Sequence, residues 1–266
     1  MKCSILGCGW LGLPLAKFLK EQNIDVSGST TSAEKISELK NIGVTPFLLK
    51  IENNTIFGAI EEFLQSEILF INIPFGQQKE NFEAYKKLAL LIEASSIQKV
   101  IFISSTSVYS DSNAVVTEDE NFEVNPPKQI LVDLEHLFLK NPHFKTTVLR
   151  FSGLIGGSRN PANFFKEGRL VKNGAAPINL IHLDDCIQIV YKLLQSDVWN
   201  TVLNASADTH PTRKEFYTAA TLHAGKIPAT FLEETTSFKI ISNEKLKRVL
   251  NYEFIHGDLL KMIPQF

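Results

Sequence analysis

The chain has 266 residues, 44% of them hydrophobic, with 27 basic and 29 acidic side chains and a formal net charge of −2. That balance gives no electrostatic reason to expect nucleic acid or an anionic membrane surface as a partner. The longest apolar runs, such as EILFINIPF, fall far short of the ~20 residues that a membrane-spanning helix needs.

KCSIL reads as a first strand, and LGLPLAKFLKEQ carries apolar residues at helical spacing. Between them SILGCGWLG places Gly7, Gly9 and Gly12 in the pattern G-x-G-x-x-G. In a strand–turn–helix context the first glycine permits a tight turn and the second leaves room for a pyrophosphate. The third lets helix and strand approach, and the helix N-terminus offers amide N–H groups to the anion. Gly7, Gly9, Trp10, Leu11 and Gly12 are therefore candidate cofactor-binding residues; a tight turn that holds no ligand would satisfy the same glycines.

IDVSG is a second strand and AEKISELKNIG a helix closed by a glycine. A site that prefers NAD usually places Asp or Glu about 20 residues past the glycines, against the ribose 2′-hydroxyl. Here SGSTTSAEK occupies that place, and Asp25 comes too early, inside the strand. Ser27 to Ser32 carry no carboxylate to repel a 2′-phosphate, and Ser29, Thr30, Thr31, Ser32 and Lys35 could contact one. The expected cofactor is NADP, with NAD the alternative.

VTPFLLKI, EILFINI and KVIFISS read as three further strands, with the long amphipathic helix NFEAYKKLALLIEASS between the last two. VDLEHLFLKN is helical and TTVLRFSG extended. Strands that alternate with helices predict an α/β, Rossmann-type doubly wound parallel sheet. Beyond residue 153 the texture changes to Gly-, Pro- and Asn-rich stretches, LIGGSRNPANFFKEG and NGAAPINL, as in loops that cover a site. HLDDCIQIVYKLLQ is helical, TVLNAS is a strand, and TRKEFYTAATLHAG is a helix with Thr212 as N-cap. The expected organisation is an NAD(P)-binding domain over 1–155 and a smaller, interleaved, substrate-covering part over 156–266 with segments returning to the sheet.

Cys3, Cys8 and Cys186 are the only cysteines and form no CxxC pair, so no disulfide framework or zinc site is indicated, and no metal-ligand spacing is legible. Met1 is followed at once by a strand-like segment, leaving no room for a signal peptide, so the expected location is the cytoplasm. The expected partner is a small-molecule substrate whose identity the residues do not give; the oligomeric state is likewise not legible.

GCGWLG, VIFISSTSVYS (100–110), VLRFSGLIG (148–156) and INLIHLDDC (178–186) together resemble the extended short-chain dehydrogenase/reductase family, which includes sugar-nucleotide epimerases and dehydratases. The resemblance is closest to its atypical, YeeZ-like group, which shares the GxGWLG-type loop, SSTSVY and a segment like HPTRKEFY. It implies that Gly7–Gly12 bind the pyrophosphate and Thr30, Thr31 and Ser32 the adenosine ribose. It also implies that Ile73 and Pro74 face the cofactor, and that Ser104, Ser105 and the main chain of Phe151, Ser152 and Gly153 lie near the nicotinamide. His182 and Asp185 match the family's I-H-x-x-D segment, with a structural role.

One departure bears on chemistry. Catalytic members carry Tyr and Lys four residues apart on the helix after the fifth strand, where the cation lowers the phenol pKa. Aligned on Glu135, those positions fall at Pro127 and Leu131. Four residues beyond Tyr85, Tyr109, Tyr191, Tyr217 and Tyr252 stand Ala89, Asn113, Gln195, Thr221 and His256, so the chain contains no Tyr-x-x-x-Lys. Ser105 matches the hydroxyl that assists the absent tyrosine, Tyr109 is close by in sequence, and Lys128 enters the same helix. Ser105 and Tyr109 are the candidate catalytic residues; a strand exit kept for its backbone geometry is the alternative reading.

Overall fold

KCSIL forms β1 (Lys2–Leu6), whose last four residues are buried, as a strand at the centre of a covered parallel sheet must be. The structure, a computed structural model, describes residues 1–73, 81–120 and 128–266. The other sheet strands are β2 (Asp25–Thr30), β3 (Thr45–Leu48), β4 (Ile68–Ile71), β5 (Lys99–Ser105), β6 (Lys145–Phe151) and β7 (Thr201–Ala205). They form a seven-stranded parallel sheet in the order β7-β6-β5-β4-β1-β2-β3. The register sets Ile5 beside Gly28 and Phe70, and Phe70 beside Ile101. Strand order reverses at β1, and in open α/β sheets the ligand crevice opens at the carboxyl ends of the strands at such a switch point.

The helices are α1 (Gly12–Glu21), α2 (Lys35–Asn41), α3 (Ile60–Phe63), α4 (Phe82–Glu93), α5 (Gln129–Leu139), α6 (Leu183–Leu194), α7 (Arg213–His223) and α8 (Glu244–Leu250). No helix among the described residues is long and apolar enough to cross a membrane. The run VTPFLLKI, expected as one strand, is divided. Leu49 turns its amide to the Thr30 carbonyl, and Lys50–Glu52 pairs antiparallel with Thr55–Phe57 instead. Asn53 and Asn54, with φ of 48° and 57°, make the left-handed pair that a two-residue hairpin requires.

The chain groups into two compact units. The first comprises Met1–Ser104, Lys128–Leu149 and Asp197–Val202, and the second Ser105–Pro127, Arg150–Ser196 and Leu203–Phe266. The division thus falls at the end of β5 and inside β6. In the first unit Phe102 of β5 stacks on Phe138 of α5 with ring centroids 5.2 Å apart, and Tyr85 of α4 meets the same ring edge-on. In the second unit Ile155, Ile178, Leu180, Phe216, Leu259 and Ile263 belong to one buried apolar cluster. Thr212 caps α7 as expected, in a full capping box with Glu215. Cys3, Cys8 and Cys186 are free and buried, and burial pushes the Cys3 and Cys8 thiols up to about 12, far from the reactive thiolate range.

Candidate functional site

The three glycines of the first turn do different work. Gly7 has φ +107°, and a Cβ there would stand 2.5 Å from the Asn72 carbonyl oxygen. A Cβ on Gly12 would fall on the Gly7 carbonyl oxygen, so this glycine lets α1 close against the turn. Gly9 is exposed, has no positive φ, and a Cβ on it would meet nothing within 4 Å among the described residues. Two of the glycines are thus required by the fold and one is not. Space left open over the turn, at a helix N-terminus, is what an approaching pyrophosphate needs. Trp10 is half-buried beside it and Leu11 buried.

Two residues brace this turn from neighbouring strands. Ser29 of β2 accepts the Gly7 amide through Oγ (2.9 Å) and the Cys8 amide through its carbonyl (2.8 Å). Asn72, just past β4, donates Nδ2 to the Gly7 carbonyl (3.1 Å) and its own amide to the Leu6 carbonyl (2.9 Å). Ser29 stood among the possible phosphate contacts; it is buried, and its Oγ braces the turn by accepting the Gly7 amide. Asn72 was missed, although its place at the end of the fourth strand was the available signal.

At the end of β2, Thr30 is buried and its Oγ1 accepts the Ser32 amide (3.2 Å), while Thr31 is exposed and Ser32 half-buried. Lys35 is exposed at the start of α2. Asp25 opens β2 at the opposite end of the strand, 3.8 Å from Lys20, as its early position implied. Ile73 is half-buried; Pro74 lies outside the described residues.

The β5 exit divides its two serines. Ser104, in the first unit, donates its buried hydroxyl to the carboxylate of Glu135 on α5, so its side chain is committed to the helix. Ser105, in the second unit, is half-buried; its Oγ accepts the Ser107 amide (3.1 Å) and caps a short 3-10 turn over Thr106–Val108. That cap uses a lone pair and leaves the O–H proton available to donate. Where the family lysine would stand, Leu131 is buried on α5; Lys128 is exposed at the helix start, and Pro127 lies outside the described residues.

Tyr109 is 1% exposed and enclosed within the second unit. Its hydroxyl donates to Asn204 Oδ1 (2.8 Å) and accepts from Arg150 Nη1 (2.7 Å), and the Asn204 amide donates to Glu118 Oε1 (2.7 Å). Burial pushes the phenol up to about 12, with the Arg150 charge only partly opposing it. This is the environment of a phenol that keeps its proton and holds structure, rather than of a tuned tyrosinate. Tyr109→Phe is expected to destabilise the protein by about 1–3 kcal/mol, since it strands Asn204 and Arg150 atoms in a buried site. Denaturant unfolding of the variant checks this, and unchanged stability would contradict it.

Phe151 is buried at the end of β6, and Ser152 donates its amide to the Ala205 carbonyl (3.0 Å). The buried Ser152 hydroxyl has no hydrogen-bond partner among the described residues. Gly153 pairs with Leu180, whose Cδ2 would stand 2.7 Å from a Cβ, so a larger residue there would require that side chain to shift. His182 caps α6 by accepting the Asp184 amide at Nδ1 (3.2 Å). Asp185 is fully buried and accepts from the Tyr252 hydroxyl and the amides of Ile255 and His256. Both have the structural roles the resemblance implied.

No family model matches the chain. It is 30% identical over 270 residues to Protein YeeZ of Escherichia coli strain K12, covering 98% of both chains. Among solved structures it is similar to a functionally unknown conserved protein from Silicibacter pomeroyi, with TM-score 0.81, 18% identity, and 99% and 98% of the two chains covered. It is also similar to UDP-glucuronic acid 4-epimerase from Bacillus cereus in complex with NAD, with TM-score 0.79, 19% identity, and coverages of 99% and 94%. The whole-chain match shows that the chain belongs to the YeeZ family, and the likeness to the epimerase structure shows that it shares that protein's fold.

Proposed function

We propose that the protein binds a nicotinamide dinucleotide, NADP in preference to NAD, and acts as an atypical oxidoreductase or epimerase-like enzyme. The observation that carries the binding is Gly9: among the described residues its missing side chain serves no contact, whereas Gly7 and Gly12 are fixed by backbone atoms. Gly7–Gly12 would hold the pyrophosphate, with the amides of Leu11 and Gly12 at the start of α1, and Thr30–Ser32 the adenosine ribose with its 2′-phosphate. Ile73 and Pro74 would flank the cofactor. For the nicotinamide end the family resemblance points to Ser104, Ser105 and the main chain of Phe151, Ser152 and Gly153. When bound, the nicotinamide supplies a hydride acceptor or donor.

This chain's own residues must then manage a proton without a Tyr-x-x-x-Lys pair. Ser105, with an O–H free to donate beyond its cap, is the better-placed group. Tyr109 would have to break two buried hydrogen bonds to take part. The buried Leu131 and the enclosed Tyr109 favour a second reading, an NADP(H)-binding module that senses cofactor without turnover.

The test is a panel of NADPH-oxidation and NADP-reduction assays on secondary alcohols and sugar nucleotides. Weak or no turnover is expected on standard substrates of the family. On any substrate that does turn over, Ser105→Ala should lower kcat by about 10²-fold or more, as for loss of a positioned proton donor. Robust turnover untouched by Ser105→Ala would overturn this placement of the chemistry. No turnover across the panel, with tight NADP(H) binding, would decide for the sensor.

A further inference from the structure

At the N-terminus of α6, a side-chain cluster that neither the glycine turn nor the β5 exit uses brings three ligand-type atoms together. Atoms of His182, Asp184 and His256 lie within 4.8 Å of one another. Asp184 Oδ2 stands 3.4 Å from His182 Nδ1 and 3.1 Å from His256 Nε2. A tetrahedral dication with metal–nitrogen and metal–oxygen bonds of about 2.0–2.2 Å spaces its ligands about 3.3–3.5 Å apart. Two edges of such a tetrahedron are therefore already close to their required lengths.

We propose that His182, Asp184 and His256 form a binding site for one divalent cation of the zinc class, with the fourth position open to water. Two imidazoles and one carboxylate suit Zn²⁺, Co²⁺ or Ni²⁺, whereas Mg²⁺ and Ca²⁺ prefer all-oxygen sets. His256 is buried and His182 half-buried, while Asp184 is exposed, so the cation has a path in along the carboxylate. The His182 ring cannot rock freely, because its Nε2 edge packs against Gly156, where a Cβ would collide with it. Its Nδ1 accepts only a long bond from the Asp184 amide, 3.2 Å, which a cation could displace. His256 is held from behind, its amide donating to Asp185 Oδ2 (3.0 Å), and Asp185 is itself tied to Tyr252 and Ile255. Such a cation would clip the last segment of the chain, which supplies Leu259, Met262 and Ile263 to the apolar cluster, onto the start of α6.

The experiment uses the full-length chain, free of any histidine tag and stripped with chelator. Zn²⁺ is titrated by calorimetry and Co²⁺ by visible absorption. The expected result is one equivalent of Zn²⁺ with a Kd at or below about 10 μM, intense Co²⁺ bands of a four-coordinate site, and an unfolding temperature that rises with Zn²⁺. Asp184→Asn and His256→Gln should each weaken binding at least tenfold and abolish the thermal shift. Asp184 is exposed, so its variant stays folded and decides alone should His256→Gln fail to fold. No saturable binding up to millimolar Zn²⁺ would overturn the site. Affinity unchanged in Asp184→Asn would do the same, by placing the cation elsewhere.

Discussion

Gly9→Val is expected to lose at least 10²-fold in NADP(H) affinity while unfolding within about 2 °C of the wild type. Its φ lies outside the left-handed region and a Cβ there meets nothing among the described residues, so a branched side chain has both space and an allowed backbone in the free protein. The isopropyl group then fills the volume over the α1 N-terminus that a pyrophosphate must enter, and displaces it from the amide groups. A 10²-fold loss corresponds to about 2.7 kcal/mol, modest for removal of the contacts that anchor a doubly charged group. Gly12→Ala is the contrasting control. Its Cβ would fall on the Gly7 carbonyl, backbone against backbone, so it should lower stability by several kcal/mol whatever it does to binding. Calorimetric titration with NADP and NADPH, beside thermal unfolding of both variants, separates the two roles. Full cofactor affinity in Gly9→Val would refute the pyrophosphate site.

That contrast also shows what one sequence can and cannot disclose. G-x-G-x-x-G was legible because its physical demand is local: strand, turn and helix are adjacent in the chain. It could not reveal which glycine serves the fold and which the ligand, since the collision at Gly7 comes from Asn72, far along the sequence. The central strands were legible because a covered parallel strand is apolar on both faces, as ILFI in β4 is. The short pairings Val115–Val116 with Ile240–Ile241 and Leu170–Val171 with Thr230–Phe231 carry no such signal; each joins segments remote in sequence. Proximity along the chain made Tyr109 a candidate beside Ser105, but could not show the partners of its hydroxyl. Arg150 and Asn204, neither of them near in sequence, enclose the phenol. His256 was unreadable for the same reason, because only folding brings it to His182 and Asp184.

Thr30→Asp is expected to reverse the cofactor preference, moving the ratio of NADP to NAD affinity by about 10²- to 10³-fold, or roughly 3–4 kcal/mol. The Thr30 hydroxyl accepts the Ser32 amide at the end of β2, and an aspartate carboxylate can accept the same amide, so the turn should survive. What changes is charge. The carboxylate would repel a 2′-phosphate at short range in a partly buried place, where solvent screens little, and would accept hydrogen bonds from the ribose hydroxyls of NAD. Both effects act on the ratio in the same direction. Thr30→Asn supplies the control: it keeps an acceptor for Ser32 without the charge and should leave the preference for NADP nearly intact. Because the repulsive part is electrostatic, the loss of NADP affinity in Thr30→Asp should shrink as salt rises from 0.05 to 0.5 M, at Debye lengths of about 14 and 4 Å. The gain for NAD, made by direct hydrogen bonds, should change less. Titrations of both cofactors against the three proteins at two salt concentrations decide the matter. Equal wild-type affinity for NADP and NAD would end the claim of preference. An unaltered ratio in Thr30→Asp would place the 2′-position away from the end of β2, leaving Lys35 and the exposed Thr31 without the role proposed for that loop.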